Sequence, residues 1–344
     1  MSFRSAVIAA VSLTLSATAV FSVSVHASGE VNLYSARKEA LIKPLLDRFS
    51  EQTGITVNLV TGNADALLKR LQSEGINSPA DLLISADAGR LYRATEAGLT
   101  QAVVTEMLVQ AVPVAYRESE GHWYGLSLRA RPIFYVKGKV SPEELSSYED
   151  LADPKWLGRI CIRSSGNIYN QSLMASMIAH MGAEKSEQWA RGLVKNFARS
   201  PKGGDRDQIK AAAAGECDIA VANTYYYGGM ISGNDEAEHQ AADKVAVFWP
   251  NQSGRGTHVN ISGAAVTAHA RNRDNAIKLL EFLVRPESQS WYAQVNFEYP
   301  VRDGVAWSDL LQQWGHFKSD NLNLNQLGKH NSQAVMIMDR AGWK

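Results

Sequence analysis

The chain has 344 residues, of which 45% are apolar and 20% charged, and its 35 basic residues balance its 35 acidic ones. This balance leaves no electrostatic footprint for nucleic acid or for an anionic membrane surface. The apolar fraction is that of an ordinary globular protein.

The first 27 residues have the pattern of a secretory signal peptide. Arg4 precedes an apolar run from Ala6 to Val25, and small residues around Ala27 fit a cleavage site. A membrane anchor is the alternative, but the run is rich in Ala and Ser and no charge block follows it. Cleavage would leave 317 residues with 34 basic and 35 acidic side chains, a net charge of −1. We therefore expect an exported protein whose mature length suggests two domains.

Strands alternate with helices from the start of the mature chain. The first predicted helix begins at Ser35 or Ala36, is bent by Pro44 and ends at Gly54. The other predicted elements of this part are strands at 31–34, 55–60 and 80–85, and helices at 64–74 and 89–97. This alternation is typical of βαβ units with a mostly parallel sheet.

The rest of the chain continues as α/β. The predicted strands are at 123–136, 160–163, 218–223, 244–249 and 259–267, and the predicted helices at 148–156, 167–181, 186–197, 205–214 and 273–284, with further helical turns towards the C-terminus. Because the chain has no Pro- or Ser-rich linker, we expect two lobes joined by extended crossings near 127–132 and 254–260. The predicted N-terminal lobe is 28–128 plus 257–303, and the predicted C-terminal lobe is 129–256 plus 304–344.

Both cysteines lie in short apolar runs. Cys161 follows Ile160, and Cys217 precedes Asp218-Ile219-Ala220. An exported protein meets an oxidising compartment, which permits a disulfide between them. The alternative is a pair of buried thiols that act as small apolar side chains.

Four tyrosines are the most informative residues. Tyr225-Tyr226-Tyr227 close a strand-like run, and Tyr169 follows the loop Ser164-Ser165-Gly166-Asn167. Phenolates are hard oxygen donors, and a free Tyr titrates near pH ~10. Only a strongly charged cation such as Fe3+ would hold several phenolates at neutral pH, whereas the alternative is aromatic packing at a strand end.

The local structure decides whether these phenols can meet. Adjacent residues on a straight strand face opposite sides, so Tyr225 and Tyr226 converge only where the strand gives way to a turn or a helix, which Gly228-Gly229 favour. The loop before Tyr169 is expected either to cradle an anion with free helix amides or simply to cap the helix.

Further candidates follow the first strand. The carboxyl ends of strands line the ligand crevice of doubly wound sheets, which makes Tyr34, Arg37 and Glu39 candidates to face the cleft. Residues 37–39 are alternatively a solvated first helical turn. Arg129 is expected to bind an anion through its guanidinium or to form a salt bridge at the hinge.

Segments from the whole mature chain match one known family. The most specific are 163–171 (RSSGNIYNQ) and 215–226 (GECDIAVANTYY), supported by 31–37, 77–81, 125–131, 260–263 and 296–300. They resemble the bacterial periplasmic ferric-iron-binding proteins, the solute receptors of iron ABC importers. The similarity is greatest to the receptors that iron deficiency induces in cyanobacteria.

The resemblance implies an α/β type II periplasmic binding protein clamshell, with two doubly wound lobes joined by crossover strands. It implies that Tyr169, Tyr225 and Tyr226 bind Fe3+ in the interlobe cleft, whereas Tyr227 is not a usual ligand. It also implies a monomeric, non-enzymatic receptor that delivers iron to an inner-membrane ABC permease and its ATPase.

The chain departs from the family in the N-terminal lobe. Some members follow the first strand with Arg-His-Tyr and use the His or Tyr as ligands, but here those two positions are Lys38 and Glu39. Glu39 or Tyr34 is a possible additional ligand. Alternatively, a synergistic anion such as carbonate completes the metal shell near Arg37 and Arg129. Two other functions stay open, namely a receptor of the same fold for an oxyanion or small cationic metabolite, and a secreted enzyme with a catalytic Tyr.

Overall fold

The computed structural model describes residues 29–344, which form two β-sheets flanked by helices. The predicted signal peptide, residues 1–27, lies outside the described residues. The strands are β1 Glu30–Ser35, β2 Thr56–Thr61, β3 Leu82–Ala86, β4 Tyr124–Ala130, β5 Ile133–Val136, β6 Ile160–Cys161, β7 Ile219–Val221, β8 Val245–Phe248 and β9 Val259–Val266. The α-helices are α1 Lys43–Thr53, α2 Ala64–Glu74, α3 Ala88–Glu96, α4 Glu106–Ala111, α5 Ile168–Met181, α6 Ala183–Lys195, α7 Asp205–Ala213, α8 Thr224–Ser232, α9 Glu236–Asp243, α10 Arg273–Leu283, α11 Pro286–Val295, α12 Asp309–Gln313, α13 Asn325–Lys329 and α14 Asn331–Arg340.

Each sheet is mixed. The first has the order β2-β1-β3-β9-β4, in which β1 is parallel to β2 and β3 while β9 is antiparallel to both of its neighbours. The second has the order β6-β7-β5-β8, with β6 parallel to β7 and β5 antiparallel to its neighbours. We call the first sheet with its helices the first lobe, and the second sheet with its helices the second lobe.

The chain crosses between the lobes where β4 leads to β5 and where β8 leads to β9. The sequence predicted these crossings near 127–132 and 254–260, and the connections in the structure are 131–132 and 249–258. However, β4 belongs to the first sheet up to Ala130, which is beyond the predicted lobe boundary at residue 129. Arg129 is therefore carried by the first sheet.

The first helix begins later than predicted. A 3-10 turn at Glu39–Leu41 follows β1, and α1 starts only at Lys43. Pro44 thus lies in the first turn, where its missing N–H would have no helical partner, and it does not bend the helix. Gly54 ends α1 with a left-handed φ of 70°, as predicted.

The C-terminal helices pack against both lobes, although the sequence assigned them to the second. Helix α13 contacts α3 of the first lobe and α5 of the second, while α14 contacts α5 and α6. A side chain at Gly328 would meet the Cβ of Tyr92 at 2.3 Å, so only glycine permits this approach. The segment therefore bridges the lobes.

Cys161 and Cys217 form a disulfide, which confirms the pairing that the sequence permitted. Both residues lie in the buried core of the second lobe, and the bond joins β6 to the start of the segment that contains β7. It closes a loop with a sequence separation of 56 residues.

We expect the double substitution Cys161→Ala and Cys217→Ala to lower the free energy of unfolding by about 4 kcal/mol, because the unfolded chain loses a constraint on a loop of this length. Denaturant unfolding of the oxidised protein and of the variant measures the difference. Reducing the native protein is the control and should reproduce most of the loss. An unchanged unfolding midpoint in the variant would contradict this expectation.

No helix within residues 29–344 has the length and the apolar composition to cross a membrane.

Candidate functional site

The carboxyl ends of strands from both sheets face one cavity of about 320 Å³ between the lobes. In α/β sheets this edge is the usual place for ligands. The first lobe contributes the segment after β1, the end of β3, and residues of β4 and β9, and the second lobe contributes the helices that follow β6 and β7. The lining residues are Ala36, Arg37, Lys38, Leu41, Ala86, Arg129, Tyr169, Arg206, Tyr225, Tyr226, Gly229, Ser262, Val295, Asn296, Phe297 and Glu298.

Tyr169 lies in the first turn of α5. The side chain of Asn167 caps this helix by accepting a hydrogen bond from the backbone N–H of Tyr169, with an N–O distance of 3.1 Å. The cap fixes where the helix begins and thereby directs the Tyr169 phenol into the cavity. The interpretation of this loop as a helix cap is thus correct, and the same cap positions a residue that lines the cavity.

Tyr225 and Tyr226 lie in the first turn of α8. Strand β7 ends at Val221 and the helix begins at Thr224, so the tyrosines lie on helix and not on strand. Their rings lie 4.2 Å apart between centroids with an interplanar angle of 32°. The Tyr225 hydroxyl is 3.2 Å from that of Tyr169, so phenols from two helices meet in the cavity.

Tyr227 points elsewhere. Its hydroxyl donates to the backbone carbonyls of Ala242 and Val245, and its ring packs against Phe134 and Trp314. The third tyrosine of the run is therefore a core residue, and the packing explanation holds for it.

The phenols of Tyr225 and Tyr226 resist ionisation in the absence of a cation. Burial raises the pKa of Tyr225 well above its usual range, and the neighbouring phenols of Tyr169 and Tyr226 raise it further, while Arg129 opposes them. Burial and the proximity of Tyr169 also raise the pKa of Tyr226 to about 12. A bound ligand would therefore have to displace phenolic protons at neutral pH.

The opposite wall is a buried cluster of charge. Arg37 donates to the Glu298 carboxylate at 2.9 Å and to the Ser262 hydroxyl at 2.6 Å. Arg129 donates to the same hydroxyl at 3.0 Å and to the backbone carbonyl of Ile261. Glu298 also accepts a hydrogen bond from Ser127. One carboxylate thus faces two guanidinium groups.

This wall retains unused donors. The buried Nε atoms of both Arg37 and Arg129 have no hydrogen-bond partner. The guanidinium carbon of Arg129 lies 5.5 Å from the centre of the Tyr169 ring, so the arginine contacts this aromatic ring across the cleft. The sequence predicted both arginines to lie near an anion, and both line the cavity.

The other first-lobe candidates lie outside it. The Tyr34 hydroxyl donates to Glu74 at 2.9 Å, and its ring packs in a separate apolar cluster with Leu67 and Leu83. Glu39 is exposed in the 3-10 turn and is not a lining residue, whereas its neighbour Lys38 is. The structure does not bring Tyr34 or Glu39 to the three phenols.

Several lining residues were not assigned to the site from sequence. Glu298 and Ser262 lie in segments that matched the family, but their local sequence gives no sign of a site. The relevant signal would have been one acidic residue, Glu298, in the otherwise uncharged run Val295 to Pro300. Its burial can be recognised only from the fold.

Phe297 brings the first lobe close to the tyrosine helix. It has a left-handed φ of 53°, which is uncommon for a bulky residue. A side chain at Gly228 would lie 2.7 Å from its Cβ. Gly228 permits this close approach of Phe297, whereas Gly229 faces Arg206. Both glycines lie within α8, beyond the end of β7 at Val221.

Within residues 29–344, no group of three or more His, Cys, Asp or Glu side chains is placed to hold a metal ion. Among the residues that line the cavity, the oxygen donors that can carry a negative charge are the three phenols and the Glu298 carboxylate, which is paired with Arg37.

Comparison with known proteins places this geometry in a family. Residues 45–319 match the model of the bacterial extracellular solute-binding proteins. The chain is 51% identical to iron uptake protein A1 of Synechocystis over 92% of its own length and 88% of the relative's.

Solved structures of similar proteins support the same family assignment. A Trichodesmium protein (IdiA, FutA) in complex with iron and citrate ligands superposes with a TM-score of 0.90 at 50% identity, covering 92% of this chain and all of that one. The ferric binding protein from Campylobacter jejuni gives a TM-score of 0.87 at 37% identity over 91% of this chain and all of its own. These matches confirm the predicted α/β fold of the type II periplasmic binding proteins. The chain belongs to the bacterial extracellular solute-binding proteins.

Proposed function

We propose that this protein is a periplasmic receptor that captures Fe3+ through Tyr169, Tyr225 and Tyr226 in the cleft between its lobes. The observation that carries the proposal is the convergence of three phenols from two helix N-termini. The iron-binding relatives support Fe3+ as the cargo, and they are solute-binding transport proteins and not enzymes.

Charge balance supports a trivalent cargo. Three phenolates neutralise the three charges of Fe3+, so the metal and its three protein ligands carry no net charge and are buried at less cost than an unpaired ion. The charge of an added anion would face Arg37 and Arg129. The partial positive charges at the N-termini of α5 and α8 further favour the phenolate forms. A divalent cation would leave one phenolate uncompensated.

A small anion such as carbonate completes the metal shell in this proposal. The first lobe offers Arg37 and Arg129 with unpaired Nε atoms, and its only lining carboxylate, Glu298, is already held by Arg37 and Ser127. The cavity volume of about 320 Å³ leaves ample space beside a metal ion. Glu39 and Tyr34 would have to move from their present positions to serve as ligands.

The proposal also includes delivery of the bound iron to a membrane transporter. Members of this family serve ABC importers, and we infer that this receptor acts in the periplasm as a monomer and gives up iron to an inner-membrane permease driven by its ATPase. Closure and opening of the two lobes would accompany capture and release.

A second candidate is a receptor of the same fold for a small oxyanion. It is favoured by the four cationic side chains that line the cavity, namely Arg37, Lys38, Arg129 and Arg206. In that case the phenols would donate hydrogen bonds to the ligand and would not bind a metal.

A visible titration separates the candidates. The metal-stripped protein is titrated with chelated Fe3+ with and without bicarbonate, and we expect a saturable phenolate-to-iron charge-transfer band at one iron per chain. Bicarbonate should strengthen the band if an anion completes the shell. A colourless titration would reject the ferric site and leave the oxyanion receptor, which direct calorimetry with bicarbonate, phosphate and sulfate would then test.

A further inference from the structure

A buried ion pair lies behind the cavity and touches both tyrosine helices without lining the site. Arg131 and Asp205 are each 1% exposed, and the Arg131 Nη1 lies 3.0 Å from the Asp205 carboxylate. Neither residue is a metal-ligand candidate, and neither is among the cavity-lining residues.

On one side the pair holds the start of α8. Arg131 donates to the side-chain carbonyl of Asn223 at 2.9 Å, and the backbone N–H of Asn223 donates to Asp205 at 2.7 Å. Asn223 immediately precedes the helix turn that carries Tyr225 and Tyr226. Its backbone and its side chain are thus both fixed by the pair.

On the other side the pair holds the start of α5. Arg131 donates through Nη2 to the side-chain carbonyl of Asn170 at 2.6 Å, and Asn170 is the next residue after Tyr169. Asp205 also accepts a hydrogen bond from Arg163 at 3.2 Å, and the guanidinium of Arg163 lies 5.7 Å from the centre of the Tyr169 ring.

The fork of one guanidinium therefore spans two helices that the sequence separates by more than fifty residues. Arginine suits this role because its planar donors have fixed relative directions, which a lysine ammonium lacks. Buried pairs with further hydrogen bonds of this kind are credited with structural specificity in some proteins.

We propose that Arg131 and Asp205 are positioning residues that set the spacing between the Tyr169 and Tyr225 phenols, and that they thereby determine iron affinity without touching the metal. This inference rests on the proposed function for its consequence, although the spacing itself is a property of the iron-free protein.

The position of Arg131 also connects the site to the lobe crossing. Arg131 directly follows β4, where the chain leaves the first sheet. Its backbone carbonyl accepts a hydrogen bond from the Tyr148 hydroxyl at 2.8 Å, and the same hydroxyl accepts one from the backbone N–H of His258 on the returning crossing. The residue that holds the two tyrosine helices is thus anchored where the lobes join.

The test compares two variants with a control. Asp205→Asn removes the counter-charge of Arg131 and Arg163, and Asn223→Ala removes only the side-chain bond at α8, so it decides the question if Asp205→Asn does not fold. Asp218→Asn is the control, because the Asp218 carboxylate pairs with Arg159 and Lys139 in the same lobe, and neither partner lies on a tyrosine helix.

We expect Asp205→Asn and Asn223→Ala to lower iron affinity about 10- to 100-fold and to shift the charge-transfer band, as loss of a residue that orients a metal ligand does. The control should retain both the band and the affinity. Crystal structures of the iron-free variants should show the Tyr169 and Tyr225 hydroxyls beyond hydrogen-bond distance, compared with 3.2 Å here.

The proposal would be overturned if Asp205→Asn and Asn223→Ala kept the native band, iron affinity and hydroxyl spacing and lost only as much thermal stability as the control Asp218→Asn. If the native protein gave no band, the proposed ferric site would fail. The hydroxyl spacing in the iron-free variants would still decide whether the pair positions the phenols.

Discussion

Replacing Tyr225 by phenylalanine should weaken and shift the visible band of the ferric protein, since two phenolates would remain, and lower its iron affinity by more than ~100-fold. Loss of an outer residue that only orients a ligand already costs 10- to 100-fold, and this substitution deletes a ligand itself. The variant also leaves Fe3+ with one uncompensated charge in a half-buried cavity. Tyr226→Phe should act in the same direction.

The chain supplies a matched control for this experiment in the adjacent residue. Tyr227→Phe removes a phenol that bonds to Ala242 and Val245 in the core. We expect it to lower stability slightly and to leave the band and the affinity as they are. If Tyr225→Phe kept a native band while Tyr227→Phe lost it, the ligand assignment would be wrong.

Iron affinity should also fall steeply as the pH is lowered, by up to ~10³ for each unit near neutrality when three phenols ionise on binding. Burial holds the pKa of Tyr225 well above its usual range and raises that of Tyr226 to about 12. In the iron-free protein these phenols are therefore protonated at neutral pH, and binding must release their protons. A lower pH favours the protonated, iron-free form. The contribution of Tyr226 to the pH dependence of iron affinity extends up to its pKa of about 12.

The proton count can be measured directly. Calorimetric iron titrations in buffers with different ionisation enthalpies give the protons released per iron, after correction for those bound or released by the chelator. Three are expected for the native protein and one fewer for Tyr225→Phe. An affinity that does not change between pH 8 and pH 6 would exclude phenolate ligands.

The sequence was most informative where structure is set locally. The alternation of apolar residues predicted most strands and long helices, and Gly54 marked the end of α1 as expected. Two short helices, Glu106–Ala111 and Glu236–Asp243, were missed because each is too brief to show a clear helical period. Pro44 was misjudged because its effect depends on where the helix begins.

The candidate site, too, could be predicted only where local sequence determines the geometry. Three tyrosines in two short motifs were visible in the sequence, and their helices did place them together. Tyr34 lies one residue before the end of β1, near the correct edge of the sheet, but successive side chains of a strand face opposite sides. Its phenol is directed to Glu74 on α2. Glu298 pairs with Arg37 across 261 residues of chain, a contact that no local pattern predicts.

The disulfide has a chemical consequence beyond stability. The whole sequence contains two cysteines, and both are joined in the core of the second lobe. Thiols are the side chains that most readily give electrons to an oxidant, and Fe3+ is such an oxidant. The protein therefore offers no thiol that would reduce its cargo, and iron held by the proposed phenolates can remain ferric until it is handed on.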